Sequence, residues 1–153
     1  MLKLGLDTES LHLWFQNKRM DIFGFIEKAH ELGFDGVMIN ILKDYNLDPE
    51  WGTLMNNDPA HLKRVRDLLE SYHMYAELAT KGITKEHLLK VLDVAEALAA
   101  DIIRTYIPIT LNPLASRATG GEGKYDQAKV RGDFDPAVFD EAAMSLRQII
   151  PEL

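Results

Sequence analysis

The sequence has no cysteine. Disulfides and thiolate metal sites are therefore excluded, and a cytoplasmic location is the expectation. It has no run of five like charges and no basic stripe. With a formal charge of −7, it lacks the Lys and Arg excess that neutralises phosphates, so no nucleic-acid partner is expected. No apolar stretch nears the roughly 20 residues that cross a bilayer, so no membrane partner is expected either. The opening MLKLGLDTES lacks the apolar segment of a signal peptide. No low-complexity segment and no linker divides the chain. What is present is 153 residues, 46% apolar and 27% charged. That suits one domain, residues 1–153, able to hide roughly 70% of its unfolded surface.

Short apolar runs alternate with helical periodicities. Residues 2–7, 35–41, 74–78 and 101–108 read as strands, the last rich in β-branched residues. Residues 21–32 place Ile22, Ile26, Ala29 and Leu32 at helical spacing, and Gly33 ends that helix. Residues 58–72 start with Asp58 as N-cap and Pro59 at the first helical position, with Leu62, Val65, Leu69 and Tyr72 inward. Residues 84–100 start with Thr84 as N-cap and turn Leu88, Val91, Leu92, Ala95 and Leu98 inward. Residues 135–150 repeat the Asp-Pro start, with Ala143, Leu146, Ile149 and Ile150 on one face and Pro151 as a stop. The order βαβαβαβα implies a parallel sheet with right-handed crossovers.

Alternate strand residues face opposite sides. Leu4, Leu6, Val37, Ile39, Ile41, Ala76, Leu78, Ile103, Thr105 and Ile107 form a largely apolar set that faces helices. The other set runs from Gly5, Met38, Tyr75 and Ile102 to Asp7, Asn40, Glu77, Arg104 and Tyr106, and becomes polar towards the C-terminal ends. A doubly wound sheet makes both sets apolar. A barrel makes one set meet the helices while the other lines an interior with its site at the C-terminal mouth. Asp7, Asn40, Glu77 and Arg104, one from each strand, fit the barrel. Such a barrel has eight strands and roughly 250 residues. The expected fold is therefore α/β, a (βα)4 half of a TIM barrel with parallel strands and outer helices, ending before the fifth strand.

The segments LKLGLDT, DIFGFIEKAHELGFDGVMINI, HLKRVRDLLESYHMYAEL and LLKVLDVAEALAADIIRTY resemble, in this order and spacing, the N-terminal half of the sugar phosphate isomerase/epimerase family. That family belongs to the xylose-isomerase-like TIM-barrel superfamily, which also holds endonuclease-IV-like proteins. AHELGFDGVMI, leading into the second strand, carries most of the likeness. The resemblance covers residues 2–108, and covers 134–150 only as a generic helix. It departs at Ala99, where the family commonly has Gly before the fourth strand. It implies a divalent metal (Mn, Mg, Co or Zn) in a full-length member, held by Glu, Asp, His and Glu from strands of the second half. None of those ligands falls in this chain, so no cofactor is assigned to it, and the paired acid/base glutamates cannot be carried over.

The substrate class that the resemblance implies is a small sugar or polyol. In the first loop at the barrel mouth, Glu9 and His12 are candidates for hydrogen bonds to such a substrate, and Trp14 and Phe15 for packing on its C–H groups. The alternative is a surface loop whose aromatics cover the barrel end. Glu9 and His12 alone are too few for a metal site. Glu77 and Arg104 face inward on neighbouring strands. They are expected to pair, either structurally or so as to offer Arg104 to a substrate carboxylate or phosphate. Lys3 is a second candidate partner for Glu77. Asp7, Asn40 and Tyr106 complete the candidate contacts. His30, His61, His73 and His87 fall on helices or helix ends and are expected at surfaces or interfaces. Trp51 is a candidate to reach the mouth. The glycine-rich stretch 118–132 has no P-loop pattern and reads as a lid or substrate loop.

Three functions compete. The first is a metal-dependent isomerase or epimerase, or a related lyase or decarboxylase of the same superfamily. The second is a non-catalytic half-barrel that self-associates: open edges on the first and fourth strands favour pairing of two copies, so a homodimer or higher oligomer is expected. The third, an open flavodoxin-type module, needs apolar residues on both sheet faces and a glycine-rich turn after the first strand, which DTESLH does not supply.

Overall fold

The computed structural model describes residues 2–41, 58–106 and 137–149. Strand β1 (Gly5–Asp7) runs into a 3-10 turn (Thr8–Leu11) and a short helix α1 (His12–Gln16). There follow α2 (Ile22–Glu31), β2 (Gly36–Asn40), α3 (Pro59–Ser71), β3 (Tyr75–Lys81), α4 (Lys85–Leu98), β4 (Ile102–Tyr106) and α5 (Ala137–Arg147). The elements agree with the periodicities, with one addition: residues 8–16, expected as a loop, are helical turns. Trp51, the glycine-rich stretch, Asp135, Ile107 and the side chain of Tyr106 lie outside the described residues.

Helices α2, α3 and α4 each start on a side-chain cap. Asp21 Oδ1 accepts from Gly24 N at 2.8 Å, Asp58 Oδ1 from Ala60 N at 3.1 Å, and Thr84 Oγ1 from His87 N at 3.4 Å. The three also share one ending. After α2, α3 and α4 a single residue turns left-handed: Gly33 (φ 81°), His73 (φ 54°) and Ala99 (φ 52°). The next amide then reaches back into the last helical turn, with Phe34 N to Ala29 O at 3.0 Å, Met74 N to Leu69 O at 2.9 Å and Ala100 N to Ala95 O at 2.9 Å. This is the Schellman closure, which favours glycine at the left-handed position. Only the first unit has one. Ala99 and His73 thus occupy left-handed positions without the freedom of glycine.

All four strands are parallel, in the order β1-β2-β3-β4. Right-handed crossovers in an unreversed order place the crossover helices α2, α3 and α4 on the same side of the sheet. The packing agrees: Val37, Ile39, Ala76 and Leu78 form one buried cluster with Phe25, Ile26, Val65, Leu69, Val91 and Leu98 of the helices. The fold is α/β in the arrangement of a (βα)4 half-barrel. A doubly wound module, whose strand order reverses at a switch point, is a different topology. Several buried positions differ from expectation. Leu32 is exposed, as is Leu4 just before β1, and α4 buries Val94 where Leu92 stays half-buried. In α5 Ala142 and Ile149 are buried while Leu146 is exposed. Among the described residues no helix is long and apolar enough to cross a membrane.

The helix-free face is built in rows. Gly5 pairs with Gly36 and Gly36 with Tyr75; above them run Asp7, Met38, Glu77 and Ile102, then Asn40, Ala79 and Arg104. The Tyr75 ring lies flat across the two glycines. A Cβ on Gly36 would overlap the ring carbons, and one on Gly5 would stand 2.6 Å from Tyr75 Oη. The Lys3 ammonium sits 5.5 Å from the ring centroid. That contact is a cation–π interaction. Partial burial, followed by the charges of Glu77 and Asp35, pushes the Tyr75 phenol above its ordinary pKa.

Two outcomes follow in chemical denaturation. Gly36→Ala is expected to destabilise the chain by about 1–3 kcal/mol through overpacking. Combining it with Tyr75→Ala should cost less than the sum of the two changes; simple additivity would show that the ring is not the obstacle. Conversely, His73→Gly and Ala99→Gly are each expected to raise stability by about 0.5–1 kcal/mol by relieving the left-handed strain. A loss at either site would contradict the cap geometry.

Candidate functional site

The C-terminal ends of β1 and β2 meet in a buried polar knot. Asn40, only 4% exposed, donates from Nδ2 to Asp7 Oδ1 at 2.8 Å and to Thr8 Oγ1 at 3.0 Å, and its backbone N–H reaches the same Thr8 oxygen at 3.0 Å. Both amide hydrogens being donated to oxygens, the orientation of the amide is fixed, with Oδ1 as its remaining acceptor. Asp7 Oδ1 also accepts from Glu9 N at 2.9 Å, which caps the 3-10 turn.

Asp7 makes a third contact, to Arg104 on the far edge of the sheet, with Oδ2 to Nη2 at 3.5 Å. Edge strands of a four-stranded sheet lie about 14 Å apart along the sheet, and side chains stand roughly perpendicular to it. From a flat sheet such side chains would not meet, so the pair reports a sheet curled around its helix-free face. This corrects the expected Glu77–Arg104 pair. The register sets Glu77 beside Ile102 and raises Arg104 one row, next to Ala79. Lys3 lies over the Tyr75 ring rather than reaching Glu77 as an ion-pair partner.

The remaining candidates divide. His12 donates from Nδ1 to Glu9 O at 2.8 Å, tying both residues to the 3-10 turn. Trp14 is 51% exposed on α1. Phe15, expected at the substrate, is buried instead with its ring 5.6 Å from that of Phe25. So Asp7, Asn40 and Arg104 come together, Glu9 joins them through its backbone, and Glu77 sits one row below. Thr8 was missed because a threonine after a strand carries no local signal; only the pairing of β1 with β2 shows it to be a double acceptor.

A second polar cluster stands at the same end of β3, on the helix side. Thr80 Oγ1 donates to Ile41 O at 3.3 Å and accepts from His87 Nε2 at 2.7 Å. Thr105 Oγ1 donates to Gly82 O at 2.6 Å. His87, expected at a surface or interface, is half-buried and ties the first turn of α4 to the sheet. His61 of α3 packs edge-on against Phe23 of α2, ring centroids 5.4 Å apart, while the Arg64 guanidinium lies 4.5 Å over the same ring. Its Nε2 is buried without a hydrogen-bond partner among the described residues. Burial, and then the charge of Arg64, push its pKa below 6.5, outweighing the opposite pull of Asp58 and Asp21.

The chemistry within reach is recognition. Asp7 and Asn40 Oδ1 accept hydrogen bonds from hydroxyls, and Arg104, whose side chain is 44% exposed, offers planar donors to oxyanions. Among the described residues no three His, Asp or Glu side chains stand close enough together to hold a metal ion. The chain matches no protein-family model, and no curated protein matches it.

Asn40→Ala is expected to lower stability by about 1–3 kcal/mol, because it strips both oxygens of a buried donor. In a double-mutant cycle with Thr8→Val the losses should be strongly non-additive; independent losses would dissolve the knot into separate contacts. The His61 shift carries a sign. The unfolded chain takes up this proton at higher pH than the folded chain does, so stability falls as pH drops below about 6.5. Thermal melts of His61→Gln should lose less on going from neutral to mildly acid pH than those of the wild type. An equal loss would assign the acid sensitivity to other groups.

Proposed function

We propose that this chain supplies the polyol-contacting end of a cytoplasmic, divalent-metal-dependent sugar or polyol isomerase or epimerase of the (βα) barrel type. One observation carries the reading: Asp7, Asn40 and Arg104, from three strands, converge at the C-terminal ends on the face without helices. Barrel enzymes hold their substrates at that end. The resemblance of residues 2–108 to the first half of such enzymes supports the same class.

The part assigned to these residues is binding and orientation. Asp7 and the fixed Oδ1 of Asn40 accept from substrate hydroxyls. Arg104 takes an oxyanion at the opposite edge, and Trp14 and Glu9 border the opening. The divalent ion that the family resemblance implies polarises substrate oxygens when bound. No described cluster holds it, so the acid and base steps are not assigned to this chain. The exposed guanidinium also favours a second reading, a lyase or decarboxylase acting on a sugar acid.

NMR titration of the chain with an aldose, a ketose and a sugar acid separates these readings. Under the proposal, amide shifts concentrate at Asp7, Thr8, Asn40 and Arg104. Arg104→Gln then abolishes sugar-acid binding while sparing the neutral sugars. Preference for the sugar acid favours the second reading, and absence of shifts with all three compounds sinks both.

A further inference from the structure

We propose that Lys81 is a specificity-determining residue of the site at the strand ends, and that it makes the ligand a polyol bearing one carboxylate. The inference rests on the reading of that site as a polyol site and adds the charge of the ligand. The sequence pattern ends β3 at residue 78, but the strand runs on to Lys81. Alternation puts Tyr75, Glu77, Ala79 and Lys81 on the helix-free face. Lys81 thus stands at the C-terminal end, one row above Asn40, Ala79 and Arg104. Its backbone is held there. Lys81 lies opposite Tyr106 in the ladder with β4, and Gly82 turns the chain away with φ 118°. Thr105 Oγ1 fastens that turn by donating to Gly82 O at 2.6 Å.

Charge is unevenly shared at this end of the sheet. On the β1–β2 side Asp7 and Asn40 offer acceptors, and Glu9 follows Asp7 at the rim. On the β3–β4 side stand the cations Lys81 and Arg104. Strand spacing and rise put their Cα atoms about 8 Å apart. Arg104 already faces Asp7, with Nη2 to Oδ2 at 3.5 Å. Lys81 is exposed, and among the described residues no carboxylate pairs with it. The uncompensated positive charge on this side is therefore that of Lys81. A carboxylate balances it with a single negative charge while accepting from the planar donors of Arg104.

Glu77 limits both the depth and the charge of that anion. Its half-buried carboxylate lies two rows below Lys81, in the row of Met38 and Ile102. Among the described residues no hydrogen bond or ion pair engages it. A ligand carboxylate lowered to that row meets a like charge. A phosphate ester, with a charge of about −2, leaves an excess negative charge above it. Lys3, another cation of the helix-free side, lies at the opposite end over Tyr75. The ligand is thereby oriented, with its carboxylate outward at Lys81 and Arg104 and its hydroxyls on Asp7, Asn40 and Glu77.

Isothermal titration of the full chain with gluconate, sorbitol and glucose 6-phosphate tests the assignment. The wild type should bind gluconate about tenfold more tightly than either of the others. Lys81→Gln should lower gluconate affinity by about tenfold and leave sorbitol affinity unchanged, while Lys81→Arg should keep gluconate affinity within about threefold. Glu77→Gln should narrow the margin of gluconate over the phosphate ester. Far-UV circular dichroism verifies that each variant is folded. The assignment falls if Lys81→Gln binds gluconate as the wild type does, if it loses gluconate and sorbitol equally, or if the phosphate ester binds best. Equal binding of gluconate and sorbitol by the wild type removes the inference and leaves the polyol site standing. Binding of none of the three compounds removes both.

Discussion

The handedness of the crossover connection is the constraint on which the rest depends. An unreversed order of parallel strands forces the crossover helices α2, α3 and α4 to one side. That single asymmetry divides the strand residues into a packed set and an unpacked set. Val37, Ile39, Ala76 and Leu78 meet helices and disappear from solvent, while the residues alternating with them are left to line a concavity. Polar groups can gather there because no helix needs that surface. Had the order reversed once, helices would have covered both faces and Asp7 and Arg104 would have lost the space between them.

Within that concavity the Asp7 carboxylate joins elements that are distant in sequence. One oxygen holds the 3-10 turn through Glu9 N and the end of β2 through Asn40, and the other faces Arg104 of β4. Asn40 is tolerable at 4% exposure because its amide hydrogens are all donated; a half-satisfied amide there would cost more than an apolar residue. The Thr80–His87 pair performs a comparable task on the opposite face of β3. It anchors the beginning of α4 where the chain leaves the sheet. The C-terminal ends of the strands are therefore stiffened from both sides, a precondition for holding a ligand in one pose.

Helices and strands were legible in the sequence because caps and periodicity are local. Asp58 and Thr84 cap where the sequence places them, and Val37, Ile39, Ala76 and Leu78 alternate inward as their pattern requires. What depended on sequence-distant neighbours was less visible. The Glu77–Arg104 pairing assumed that adjacent strands set their inward charges level, whereas the register offsets them by one row and curvature brings Asp7 within reach instead. Phe15 looked like a mouth residue because its segment follows the first strand, yet a turn of helix rotates it onto Phe25. His87 looked like a surface residue because a helix position alone does not show that the preceding strand presents a threonine to it. Of the candidate site, Asp7, Asn40 and Arg104 were found from alternation, and Thr8 only from the pairing of strands.

The shared ending of α2, α3 and α4 has a consequence for how the chain is made. In each unit the left-handed residue and the amide that follows it fix where the helix stops and the strand begins, through bonds that span a single turn. Such contacts form on the time scale of helix growth, far ahead of the encounter of separate strands. A unit leaving the ribosome therefore has the start of its next strand already set relative to its helix. The slow step that remains is lateral docking of finished units, which narrows the opportunity for strands to slip by one residue and turn their apolar sides outward.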